Sequence, residues 1–118
     1  MPPPTDALLV LTTLPDEASA RALAEKLVSE RLAACVNILA PCASVYRWRD
    51  AVESAAEIPL LIKTTRDRYP ALEAAARAAH PYEIPELIAV SITHGSRAYL
   101  GWLADSVTIP APPAPDVS

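Results

Sequence analysis

Glycine is scarce: the chain has 118 residues and two glycines, Gly95 and Gly101. A loop that wraps phosphate with its backbone needs several glycines close together, so the usual glycine-rich nucleotide loops are excluded. G-x-S-x-G and H-E-x-x-H are also missing, and no catalytic set stands out; the chain is not expected to be an enzyme. Basic charge is sparse. Ten Lys and Arg face fourteen Asp and Glu, for a net charge of −4 and a pI near 5.0. Without a basic patch larger than Arg66–Arg68, a nucleic-acid partner is not expected. Long apolar runs are absent too. Nothing approaches the roughly 20 residues of a membrane span, so no membrane partner is expected. Met1-Pro-Pro-Pro lacks a basic leader, and the run Ala7–Leu11 is too short for a signal peptide. The two cysteines, Cys35 and Cys42, flank a short gap containing Pro41 and read as reduced thiols. Together these features point to the cytoplasm.

What is present is globular. Hydrophobic residues make up 52% and charged residues 20%, enough for one buried core in one domain. Seven of the thirteen prolines sit at the ends: Pro2–Pro4, then Pro110, Pro112, Pro113 and Pro115. The folded unit is therefore read as residues 6–107, with 1–5 and 108–118 as flexible Pro-rich ends. A partner that reads PxxP is conceivable for the tail; a solvated segment is the simpler reading.

Inside the unit, hydrophobic periodicity alternates between two kinds. Ala7–Thr12 reads as a buried strand. Asp16 is an N-cap for a helix whose apolar residues (Leu23, Ala24, Leu27, Val28, Leu32) share one face, ending near 31–33. Two long extended segments follow, Cys35–Arg49 broken near Pro41, and Ala51–Thr64, with Arg49-Asp50 as the hairpin turn. Ser44, Tyr46 and Trp48 alternate with Val45 and Arg47. Pro59 must sit at an edge or a bulge. A second helix starts near 66–68, carries the slender stripe Leu72, Ala75, Ala76, Ala79, and stops at His80-Pro81. Glu86–Ile92 is the last strand, and Ser96 caps a final helix. The order β-α-β-β-α-β plus a helix predicts an α+β, ferredoxin-like antiparallel sheet with helices on one face. The long hairpin exceeds what two helices cover, which predicts an oligomer.

The densest chemistry is His80-Pro-Tyr-Glu-Ile-Pro-Glu86. Two prolines stiffen it and disfavour helix in the residue before each. It displays an imidazole, a phenol and two carboxylates, a set suited to a borderline divalent cation such as Cu²⁺ or Zn²⁺. His80 can equally be a helix C-terminal residue that satisfies free carbonyls. Cys35, among Ala33, Ala34 and Val36, reads first as a buried thiol, and His94 as a turn residue. Tyr46, Trp48 and Trp102 read as core or interface anchors.

The strings LPDEASARALAEKLVSERLAACVNI, SVYRWRD, LLIKTT, HPYEIPE and THGSRAYLGWL resemble the CutA family in order and spacing. The resemblance implies a ferredoxin-like fold whose long hairpins interlock three subunits into a PII-like homotrimer. It also implies a role in tolerance to divalent metal ions, chiefly copper, weakly bound. In one branch of that family, copper is described as held by a first-strand Cys and a His-His pair. Here those positions read Thr12 and Ala79-His80, so His80 alone matches. The expected metal ligands are His80, Glu83 and Cys35. PII signalling proteins bind small effectors between subunits. By that analogy Trp48, Lys63, Tyr82, Glu83 and Glu86 would line a cleft, and the chain would be a small-ligand module or a trimeric scaffold.

Overall fold

The computed structural model describes residues 5–110; the Pro-rich stub at 1–4 and the tail at 111–118 lie outside the described residues. Eight elements follow one another: β1 (Ala7–Leu14), α1 (Glu17–Ser29), β2 (Cys35–Ile38), β3 (Cys42–Trp48), β4 (Ala51–Thr65), α2 (Tyr69–Ala79), β5 (Ile88–Ser91) and α3 (Arg97–Val107). The protein is thus mixed α+β, with an antiparallel sheet in the order β2-β4-β1-β5 and β3 pairing on β4.

Alternation sorts each strand onto two faces. Leu8, Val10 and Leu14 of β1 join Ile58, Leu60 and Ile62 of β4 beneath α1 and α2. From the helices come Ala20, Leu23, Leu27, Leu72 and Ala76. Each large aliphatic side chain removed from water here contributes about 1.5–3 kcal/mol. Two residues of the expected stripes fall outside this core. Val28 is 42% exposed and Ala79 is exposed, because each stands at the margin of a face that only its more central neighbours press onto the sheet. Ala7 is out of phase with Leu8 and Val10. It joins Ala34, Leu103 and Val107 in a second small cluster, which seats α3 at one end of the reverse face. The rest of that face is largely apolar and has no cover among the described residues. Leu9, Leu11 and Leu61 are half-buried, while Ile88 and Val90 are 54% and 50% exposed.

The local signals act as their chemistry requires. Asp16 Oδ1 accepts from Ser19 N–H at 2.7 Å, and Ser96 Oγ from Tyr99 N–H at 3.0 Å. Past Ser29, Arg31 adopts φ 59°. Leu32 N–H then reaches Leu27 O at 2.9 Å and Arg31 N–H reaches Val28 O at 3.1 Å, the paired bonds of a left-handed helix stop. Pro70 lies in the first turn of α2. The last strand is shorter than read, since pairing with β1 spans only Ile88–Ser91. Arg49 and Asp50 form the two-residue turn between Trp48 and Ala51, both with positive φ (49° and 68°).

Pro59 sits at a bulge. Ile38 pairs with Leu60, and Cys42 with Glu57. Three residues (39 to 41) therefore oppose two (58 and 59), one extra on the outer strand. Pro59 O accepts from Leu39 N–H at 3.0 Å, so the missing Pro59 N–H also faces this irregular stretch, where the ladder loses little.

Candidate functional site

The connector between α2 and β5 begins at His80, the C-cap of α2. Its ring is buried, 9% exposed, and both nitrogens are engaged. Nδ1 accepts from Tyr82 N–H at 3.2 Å, which leaves Nε2–H to donate to Thr13 O at 2.7 Å. The Tyr82 ring lies 4.8 Å from the imidazole, centroid to centroid. Thr12 Oγ1 donates to Glu86 O at 2.6 Å and ties down the far end. The connector is thus laced to β1 at both ends.

Tyr82 in turn reaches β4. Its pKa is pushed up to about 12, by burial first, then by a hydrogen bond to Glu57 and by the charges of Glu57, Tyr46 and Asp16. Glu57 is 8% exposed, and its Oε2 accepts from Thr13 Oγ1 at 3.1 Å. A second strap runs from the hairpin tip, where Arg49 Nη2 meets Glu83 Oε2 at 3.1 Å and its guanidinium lies 5.2 Å from the Trp48 ring centre. Glu57 and Thr13 went unmarked in the sequence, and Arg49 was marked only as a turn residue. The signal for Glu57 was available: a carboxylate directly before the apolar run Ile58–Ile62 must be buried with partners or forced off the sheet.

His80 and Glu83 share this connector, but Cys35 does not join them. Cys35 pairs with Lys63 and Thr13 with Pro59. The thiol is therefore four residues along and two strands across from His80's anchor, about 13 Å by about 10 Å. Among the described residues no three His, Cys, Asp or Glu side chains group as a cation would need. Both His80 nitrogens are engaged and Glu83 is paired with Arg49, while Cys35 lies apart from both. The cleft residues are also spread out. Trp48 pairs with Ala51, twelve residues from Lys63 along β4, about 40 Å of strand. Tyr82 lies near the middle, at Glu57. Two surface grooves of about 440 and 270 Å³ flank the bulge at Pro41 and contain none of His80, Tyr82, Glu83 or Lys63. Cys35 and Cys42 are free thiols; their β4 partners Lys63 and Glu57 are six residues apart, about 20 Å, too far for a disulfide.

The fold is thus an α+β sheet with helices on one face, an open reverse face, and a connector hydrogen-bonded to β1 at both ends. The chain belongs to the CutA1 divalent ion tolerance protein family, whose model matches residues 8–106. It is 47% identical over 98 residues to the divalent-cation tolerance protein CutA of Thermus thermophilus, covering 83% of this chain and 95% of that one. A solved structure of the divalent cation tolerance protein from Thermus thermophilus superposes with a TM-score of 0.83 at 46% identity, over 85% of this chain and 97% of that one. CutA from Xylella fastidiosa gives 0.86 at 41% identity, over 88% and 100%.

Proposed function

We propose that the protein serves tolerance to divalent metal ions, copper foremost, as a non-enzymatic cytoplasmic homotrimer that handles the cation as weakly held cargo. The observation that carries this reading is the family match across residues 8–106, which includes the whole His80–Glu86 connector. The geometry supports weak rather than tight binding. A cation reaching His80 must displace the 3.2 Å bond from Tyr82 N–H, and one reaching Glu83 competes with Arg49 for the carboxylate. His80 does keep one feature of a ligand: Nε2–H is oriented by a backbone carbonyl, which leaves Nδ1 as the donor. Further donors must then come from other copies.

Assembly is supported by the uncovered reverse face and by the two-stranded β3–β4 ribbon, which is marginal alone. The sheet order, with β4 and β1 central, supports the ferredoxin-like reading. Calorimetric titration with Cu²⁺ of the wild type and of His80→Ala tests the ligand; superimposable isotherms would remove His80. Light scattering tests the trimer, and a monomer at micromolar concentration would end that part of the proposal.

A further inference from the structure

α3 holds the sheet with one side and carries an aromatic ledge on another. Leu103 and Val107 are buried in the second cluster, and Leu100 packs against them. Trp102 stands about 100° round the helix from Leu103, off the side that touches the sheet. Its ring is 48% exposed and that of Tyr99 42%, and the two rings lie 5.5 Å apart at 41°. Next to them, on the outermost side of the helix, Ala98, Gly101 and Asp105 follow at helical spacing, all exposed. This side is not the open face of the sheet.

Gly101 is the residue that the chain's own packing does not explain. A glycine inside a helix is destabilising relative to alanine. Positive φ does not call for it, and among the described residues a Cβ there would meet nothing within 4 Å. Its effect is to bare the helix backbone beside an indole. An aromatic ledge next to a shallow, bare surface suits a proline-rich segment. Such a segment is already ordered as a polyproline helix, so its rings stack on Trp and Tyr at little entropic cost.

A segment of that kind follows α3 in the same chain. Pro110, Pro112, Pro113 and Pro115 come within eight residues of Val107, and all lie beyond residues 8–106, which the family model matches. The exit from the helix is fixed: Thr108 Oγ1 donates to Ala104 O at 2.7 Å. Thr108 has φ −74° and ψ 126°, near polyproline geometry. Trp102 lies about 9 Å back along the helix axis from Thr108. The stretch from Thr108 to Pro112 spans about 12 Å when extended, which is enough to turn and come back. A tether this short holds the segment at an effective concentration in the millimolar range, so a weak contact suffices.

We propose that residues 110–115 fold back within the same chain and dock in polyproline form on the outer side of α3, along Gly101 and against the rings of Trp102 and Tyr99. The reader of the PxxP-like tail is then the chain itself. The contact is independent of the cation reading, and absence of copper binding would leave it untouched.

The test is NMR of the full chain, with the two indole N–H signals told apart by Trp48→Phe. Nuclear Overhauser contacts are expected between the Trp102 ring and ring protons of Pro112 or Pro113, and those proline protons should move upfield of their positions in a free peptide of residues 109–118. Gly101→Leu fills open space, so it should keep the circular dichroism of the wild type while the contacts and the upfield shifts are lost. The pair Pro112→Gly and Pro113→Gly, placed outside the folded core, should abolish them as well. The proposal is overturned if the proline protons of the wild type sit at the free-peptide positions, or if both sets of variants leave the contacts in place. It is also overturned if isotope-filtered spectra of mixed labelled and unlabelled chains show that Trp102 is covered by another copy, whether by its tail or by its folded part.

Discussion

The Thr13 hydroxyl donates to Glu57 Oε2 at 3.1 Å, across 44 positions of sequence, and so joins the end of β1 to the base of the hairpin. The same Thr13 accepts from His80 through its backbone carbonyl. One residue of β1 therefore holds both the connector and the hairpin strand.

Glu57→Ala should lower stability by about 1–3 kcal/mol, because it strands the donors of Thr13 and Tyr82 in a buried place. Glu57→Gln keeps an acceptor and should cost less. Urea denaturation of the two variants checks the order; equal costs would mean that the carboxylate acts through charge alone.

Alkaline pH should loosen the connector. The Tyr82 pKa lies near 12 in the fold against 10.0 ordinarily, with burial the largest cause. Because the folded value is the raised one, the neutral phenol's contribution is complete below pH 10. It fades as pH climbs toward 12, where folded and unfolded forms both ionise. Tyr69 and Tyr99 are shifted in the same direction and add to the slope. Tyr82→Phe should cost about 0.5–1.5 kcal/mol at neutral pH and flatten the decline between pH 10 and 12. Thermal unfolding across that range would show it, and an unchanged slope would count against the Tyr82–Glu57 link.

The hairpin turn leaves room for gain. Asp50 holds φ 68°, a region where a side chain is strained and glycine is not. Asp50→Gly should stabilise the fold by about 0.5–1 kcal/mol, read as a higher urea midpoint with no change in its slope. A lower midpoint would show that Asp50 makes a compensating contact.

A charge on the open face should act on assembly before it acts on the chain's own core. Leu61 is half-buried on the reverse side, while its neighbours Leu60 and Ile62 are fully enclosed beneath the helices. Leu61→Asp should therefore lower the mass seen by scattering while leaving helix and strand content in place. An unaltered mass would place the contact between copies elsewhere.

Much of the fold was legible because the signals were local. Asp16, Ser96, Pro70 and the Arg49-Asp50 turn act within a few residues of themselves, and periodicity marks Leu23 and Leu27 as core. The site was less legible. His80 could be seen as a helix end or as a ligand, but which of its nitrogens carries the proton depends on Thr13, 67 positions away. Lys63 donates to Asn37 Oδ1 only because β2 and β4 pair in one register. Pairings between strands fix such meetings, and no window along the chain contains them.

The extra residue opposite Pro59 also resets which side chains share a side. Before it, the odd-numbered Cys35 and Asn37 stand with Lys63 and Leu61; after it, the even-numbered Cys42, Tyr46 and Trp48 stand with Glu57, Glu53 and Ala51. A strictly alternating strand would have turned Tyr46 and Trp48 away from the connector and offered it Val45 and Arg47 instead. The irregularity at 39–41 is thus a change of phase in the chain's two-residue code, and removing one residue there would rewrite the wall against which Tyr82 rests.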